Sequence, residues 1–299
     1  MADLAHHDRY RFSPITERPD FSWPEGKRLA VYIGVNVEWF AFNEGVGAVL
    51  AASNPQPDVL NYAWRDYGNR VGIWRMLDLF DRLELPAVAL LNSAVCDYAP
   101  QIVQAFQTRG DEIVSHGYTN STQPGQLSCV DEQSMLKSTR DRLAQATGTA
   151  PKGYLAPLIS ESVHTPDLLD EAGYEYLLDW AHDEQPIWFK TAAKNGAGRI
   201  LSVPYPQELN DVPQIMGRRR EASEFADMII AAFKLHQREC AARPVVMGIA
   251  LHPYLMGQAN RFTQLERALH SIKEQAGSET WFTTAGAINT HFRGLDIAE

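Results

Sequence analysis

Cysteine is scarce in this 299-residue chain: Cys96, Cys129 and Cys240 are three in number, with no C-x-x-C spacing. That excludes a disulfide framework and a structural zinc knot, and the thiols are expected to be reduced and buried. Long apolar runs are missing as well, so no membrane association is expected, and the start MADLAHHDRYRF carries charges where a signal peptide needs an apolar stretch. The expected location is cytoplasmic. Positive charge is in deficit, with 27 Lys and Arg against 37 Asp and Glu and a net charge of −10. So acidic a chain offers no general phosphate-binding face, and its main basic cluster, Arg218-Arg219-Arg220, reads as opening a surface helix. Nucleic acid is not an expected partner. The Gly-x-Gly-x-x-Gly and P-loop patterns are absent too, which argues against nucleotide-binding folds, and there is no internal repeat.

What is present is ordinary globular material, 45% hydrophobic and 21% charged. Residues 1–28 lack sustained periodicity and read as an arm lying on its own or a neighbouring subunit. Because Phe12, Phe21 and Trp23 in that arm need a surface to cover them, a homo-oligomer is expected. Residues 29–299 read as one catalytic domain. Strands are expected at Leu29–Asn36, 86–91, 112–116, 153–156, Tyr174–Asp179, Ile200–Val203 and 244–251. Helical spacing lies between them, as in Ile73, Met76, Leu77 and Phe80, over 99–109 and about 131–146, and around Leu168, Phe225 and Leu265. Thr263 and Glu266 have capping-box spacing at the start of the last of these helices. Strands alternating with helices predict an α/β fold, a distorted parallel (β/α) barrel, with an open doubly wound sheet as the alternative.

In such barrels the C-terminal strand ends carry the chemistry. Asn36 and Glu38 follow the first strand, His116 ends the third, and His252 follows Pro244–Leu251. Each alone has an ordinary explanation: a solvated carboxylate, a hydrogen-bonded core histidine, a strand cap before proline. A carboxylate and two imidazoles converging at strand ends can instead take a proton from water and return it to a leaving group, and the three together favour that reading.

The motifs Asn36-Val-Glu38, His116-Gly-Tyr-Thr-Asn120, Gly153-Tyr-Leu-Ala-Pro157 and Leu251-His252-Pro253, in that order, resemble the polysaccharide deacetylase superfamily, with its NodB-like barrel and its place in carbohydrate metabolism. Asp66–Trp74, Asp183–Trp188 and Val203–Asp211 are similar to the branch that holds metal-independent allantoinases and cyclic imidases. The departures are informative. Where the deacetylases carry a second acid this chain has Trp39, where they carry a second histidine it has Asn120, and where they carry an arginine before proline it has Leu155.

Two of three metal ligands are thus replaced, and indole does not ligate, so no cofactor is expected; a weak divalent (zinc) site of Glu38, His116 and Asn120 is the alternative. Without a metal an ordinary acetamide is a hard substrate, whereas a cyclic imide or ureide has a more electrophilic carbonyl and a better leaving nitrogen. The expected function is therefore hydrolysis of a non-peptide C–N bond in a cyclic imide, hydantoin or allantoin-like ring, with Glu38 as general base and His252 or His116 as acid. Trp39, Trp64, Tyr67, Tyr118, Pro157 and Trp180 are expected around the ring, and Asn36 and Asn120 along its imide edge. The alternatives are a metal-dependent deacetylase of N-acetylated sugars and a catalytically silent ligand-binding relative.

Overall fold

Leu29–Val37 (β1) carries no charge and is buried at all nine positions, as a strand covered on both faces must be. In the computed structural model, which describes residues 6–51, 55–193, 195–295 and 297, β1 lies in a curled, mostly parallel sheet. The other strands are Val88–Leu91 (β2), Glu112–Ser115 (β3), Gly153–Tyr154 (β4), Tyr176–Leu177 (β5), Ile187–Lys190 (β6), Arg199–Ser202 (β7), Val245–Leu251 (β8) and Thr280–Thr283 (β9). Their order is β6-β7-β5-β4-β3-β2-β1-β8, β9 also pairs with β1, and β6 runs antiparallel to β7. No strand pairing joins β6 to β8. Irregular backbone bridges that side instead: the Val246 N–H donates to the Glu184 carbonyl at 2.8 Å and the Ala250 N–H to the Leu209 carbonyl at 2.9 Å. The distorted barrel is thus a curled half-barrel.

Helices Val59–Tyr67 (α1), Ile73–Leu83 (α2), Val95–Tyr98 (α3), Pro100–Arg109 (α4), Cys129–Thr147 (α5), Thr165–Glu171 (α6), Ala222–Glu239 (α7), Pro253–Met256 (α8), Ala259–Gln275 (α9) and Ala285–Arg293 (α10) make the connections. Side chains alternate across β1. Leu29, Val31, Ile33 and Val35 pack with Phe80 of α2, Phe106 of α4, Phe225 of α7 and Leu269 of α9, while Ala30 and Tyr32 face the inside with Leu90, Val114, Leu201 and Val246. The same period of two carries Asn36 to the inner face at the far end of the strand.

At the N-terminal end of the strands the inside is sealed by the arm. Trp23 is 1% exposed, donates its indole N–H to the Val245 carbonyl at 3.2 Å, and packs edge-on with Phe21, which meets Phe292 of α10. Arg18 makes a two-pronged pair with Asp183, and Arg9 another with Asp167. The arm therefore lies on its own chain over the described residues 6–28, and Phe12 alone of the three aromatics that motivated a partner stays exposed. Residues 1–5 lie outside the described residues.

Several sequence expectations are corrected here. Thr263 caps nothing: α9 begins a turn earlier because Phe262 reaches the core, and the capping box is made by Glu221 and Glu224 at α7. The three arginines precede α7 rather than open it. Cys129 is exposed at the start of α5, whereas Cys96 and Cys240 are buried, and all three are free thiols. β6 and β9, four residues each, had no length with which to show a period. Among the described residues no helix is long and apolar enough to cross a membrane.

Candidate active site

β1, β3 and β8 are parallel, so their C-terminal ends open onto one rim, and the chain leaves them into Glu38, His116 and His252. Glu38 Oε1 lies 3.6 Å from Nε2 of His116 and 3.6 Å from Nε2 of His252. The three side chains are buried yet line a cleft of about 500 Å³. A larger groove, about 1070 Å³, runs between the arm and α7 and holds none of them.

Behind His252 stands Asp211, wholly buried, accepting from His252 Nδ1 at 2.6 Å and from the His252 backbone N–H at 2.8 Å. Both Asp211 oxygens accept N–H bonds, the arrangement of a carboxylate, although burial pushes this carboxyl above its usual range against the pull of His252. Burial would strip the proton from His252, but the carboxylates of Asp211 and Glu38 outweigh it and hold the imidazole up to about 10. Burial likewise opposes the charge on Glu38, and the charge of His252, with the two imidazoles 3.6 Å away, overcomes it, bringing that carboxyl down to about 2. At neutral pH the cleft thus presents a carboxylate base beside an imidazolium acid.

His116 turns Nδ1 to the Leu155 carbonyl at 2.8 Å, which places the proton on that nitrogen and directs Nε2 at Glu38. Asn120 donates Nδ2–H to Glu38 Oε1 at 2.6 Å. Glu38 Oε2 and His116 Nε2 are buried without a hydrogen-bond partner among the described residues, so both are available to a polar substrate group.

The surrounding motifs explain how these groups are held. Between α1 and α2 runs a π-helical turn, Gly68–Gly72, whose Asn69 Nδ2–H donates to the Glu38 carbonyl at 2.8 Å. A Cβ at Gly68 would sit 2.6 Å from the Tyr254 nitrogen, and one at Gly72 would sit 2.1 Å from the Pro253 carbonyl oxygen. Only glycine lets this turn lie directly on the backbone that follows His252. Asn92, the polar residue that ends the β2 run, accepts from the Trp39 N–H at 2.9 Å and donates to the His116 carbonyl. It ties the loops after β1, β2 and β3 together.

The structure brings Asn36, Glu38, His116, Asn120 and His252 into one cleft. The expected aromatic wall is not there. Trp39 is one residue past Glu38 and turns to the outer layer, 6.2 Å from Tyr98, and Trp64 packs edge-on against Tyr254. Tyr67 receives a hydrogen bond from Arg75, Tyr118 is 55% exposed, Pro157 packs against Gly117, and Trp180 binds Glu161 beside the arm. The aromatic residues that do line the cleft are Tyr205 and Tyr254, with phenols that burial holds neutral. Nor do Asn36 and Asn120 present free amide edges: Asn36 Nδ2–H reaches the Tyr205 hydroxyl at 3.1 Å, and Asn120 is engaged by Glu38. Sequence reasoning gave no role to Asp211 and Tyr205, though both lie in the Val203–Asp211 motif, nor to Tyr254 and Asn92, of which Asn92 met the strand-end criterion.

Catalytic zinc, as in the deacetylases this sequence resembles, needs about three protein donors. Trp39 has no lone pair to give, and Asn120 turns its amide N–H toward the carboxylate. Among the described residues no group of three His, Cys, Asp or Glu side chains is arranged to hold a metal ion, and the donor set does not fit a resident zinc.

Residues 59–177 match the polysaccharide deacetylase family, a span that includes His116 and Asn120 but neither Glu38 nor His252. A putative polysaccharide deacetylase of Schizosaccharomyces pombe is 24% identical over 299 aligned positions, covering 91% of each chain. A probable polysaccharide deacetylase structure from Pseudomonas aeruginosa is 25% identical with a TM-score of 0.79, over 92% of this chain and 94% of that one. Puue allantoinase superimposes with a TM-score of 0.82 at 23% identity, over 98% of this chain and 99% of its own.

Proposed function

We infer that this chain, whose residues 59–177 match the polysaccharide deacetylase family, is a hydrolase acting on C–N bonds that opens a cyclic imide, hydantoin or allantoin-like ring. The observation that carries the reading is the placement of one carboxylate 3.6 Å from two imidazoles, with a buried aspartate behind one of them. Glu38 takes a proton from water as its oxygen attacks the ring carbonyl. The His252 imidazolium then delivers a proton to the ring nitrogen as the C–N bond breaks, leaving a carboxylate and an amide or ureide in one open chain. Asp211 holds the tautomer and the charge of His252 throughout. Trp39 and Asn120, standing where the deacetylases keep ligands, support chemistry without a resident metal. The cleft, of about 500 Å³ and walled by apolar side chains, suits a small ring.

The names of the relatives favour a second reading, metal-dependent removal of an acetyl group from an N-acetylated sugar. One panel separates the two: succinimide, phthalimide, hydantoin, dihydropyrimidine, allantoin and N-acetylglucosamine oligomers, each with and without a chelator. Ring opening that survives chelation is the expected result. Deacetylation that chelation abolishes and zinc restores would replace this reading with the second.

A further inference from the structure

Of the described residues lining the cleft, Glu38 and Arg219 alone carry a charge apart from the two histidines. Arg219 is the middle of three consecutive arginines whose outer two are tied down. Arg218 pairs with both oxygens of Glu208, and its N–H donates to the Pro213 carbonyl at 2.9 Å. Arg220 donates to Gln214 Oε1 at 3.0 Å and lies 3.6 Å from Glu224. Between them Arg219 adopts φ +59°, a left-handed conformation that a long side chain enters only under constraint. Among the described residues its guanidinium takes no hydrogen bond or ion pair. The segment is itself placed by the chemistry, since it continues from Asp211 through a π-helical turn, Val212–Gly217, that supplies Val212, Pro213 and Met216 to the same wall.

The charges decide what this cation is for. Glu38 and Asp211 as anions and His252 as a cation leave the catalytic group with one net negative charge, which repels an anionic substrate. A guanidinium at the mouth offsets that repulsion and offers a planar, two-pronged donor that matches a carboxylate. We propose that Arg219 is the anion-recognition residue of this cleft, and that the preferred substrate is a cyclic amide or ureide bearing a carboxylate on its ring substituent. The ring then lies over Glu38 and His252 while the carboxylate reaches the mouth at Arg219. This proposal rests on the ring-opening reading and narrows its substrate class.

The test compares hydantoin with hydantoin-5-acetate, which differ by the carboxylate arm, on the wild-type chain, Arg219→Gln and Arg219→Lys. Calorimetry measures binding and a discontinuous assay measures kcat/KM. The wild type is expected to prefer the carboxylated ring by about ten- to a hundredfold, the worth of a charge-assisted hydrogen bond. Arg219→Gln is expected to erase that preference and Arg219→Lys to keep part of it. Because Arg219 is exposed, both variants should melt with the wild type. A wild type indifferent to the carboxylate, or a preference that survives Arg219→Gln, overturns the proposal. A preference for the carboxylated ring that is lost in the variant while no ring is opened upholds the anion site and removes the hydrolytic reading. Failure of both rings to bind removes both readings.

Discussion

His252 stands between two carboxylates, Asp211 behind it at 2.6 Å and Glu38 before it at 3.6 Å, and its charge state is a property of all three. A raised imidazole pKa means that the protonated form, the one needed for acid catalysis, persists until pH rises through about 10. The depressed Glu38 carboxyl keeps the basic form until pH falls through about 2. The proposed mechanism therefore runs on a plateau between those limbs. Asp211→Asn removes a negative charge that favours imidazolium, so the alkaline limb of kcat/KM is expected to move down by a unit or more; an unmoved limb would assign it to another group. Glu38→Gln keeps the shape and removes the basicity. Turnover is expected to fall about a hundredfold or more while the melting temperature changes little, and wild-type rates would reduce Glu38 to a hydrogen-bond acceptor for Asn120. The same two charges bear on stability with opposite signs. Ionised Glu38 stabilises the fold above its unfolded carboxyl range and ceases to as pH falls through about 2, whereas charged His252 stabilises it below its ordinary range and ceases to as pH rises through about 10. At this scale much was legible in the sequence, because Asn36, Glu38, His116 and His252 are polar residues stranded after apolar runs. The roles of Asp211 and Arg219 were not, since they sit on irregular backbone on either side of a π-helical turn whose path no periodicity encodes.

Two elements with no place in the ideal barrel bring the rim together. The Gly68–Gly72 turn lies on the backbone of Pro253–Gly257, and the Val212–Gly217 turn carries the chain from Asp211 to Arg219. π-helical turns of this sort gather at functional sites because they redirect a helix by one residue. Gly72→Ala puts a methyl group 2.1 Å from the Pro253 carbonyl oxygen, so α2 and the segment after His252 must separate. The expected cost is about 1–3 kcal/mol of stability, with a loss of kcat larger than that of substrate affinity, since the shift reaches His252 first. Arg70→Ala on the same turn, exposed and 3.8 Å from Asp66, is the control and should stay within about 0.5 kcal/mol. Equal behaviour of the two variants would show that the turn has slack. The glycines were visible in the sequence as part of a motif, but their reason, a close backbone approach, exists only in three dimensions. The long helices were legible because α2, α7 and α9 each show several turns of period; β4 and β5, two residues each, were anticipated at greater length because burial continues past the hydrogen-bonded pairs.

At the scale of the whole chain the two ends of the half-barrel have separate duties: the C-terminal rim carries the charges, and the N-terminal end is closed by the arm. A homo-oligomer remains a proposal, to be checked by light scattering at micromolar concentration, and it now stands on Phe12, 86% exposed, rather than on Phe21 and Trp23. Trp23 makes the sharper test of the arm. Its indole packs in one cluster with Val246 and Ala285, lies tilted 6.1 Å from Trp281 and donates to the Val245 carbonyl, so the arm's attachment enters the core of the domain itself. Trp23→Ala is expected to cost about 3–5 kcal/mol, lowering the melting temperature by roughly 2–4 °C for each kcal/mol. Phe12→Ala should leave it unmoved at concentrations where the chain is monomeric. Because the floor and the rim are at opposite ends of the strands, the residual folded fraction of Trp23→Ala should keep wild-type kcat at a temperature below its transition. A large loss of kcat without loss of stability would instead couple the arm to the rim, and an unchanged melting temperature would mean that the arm lies on the domain without sealing it.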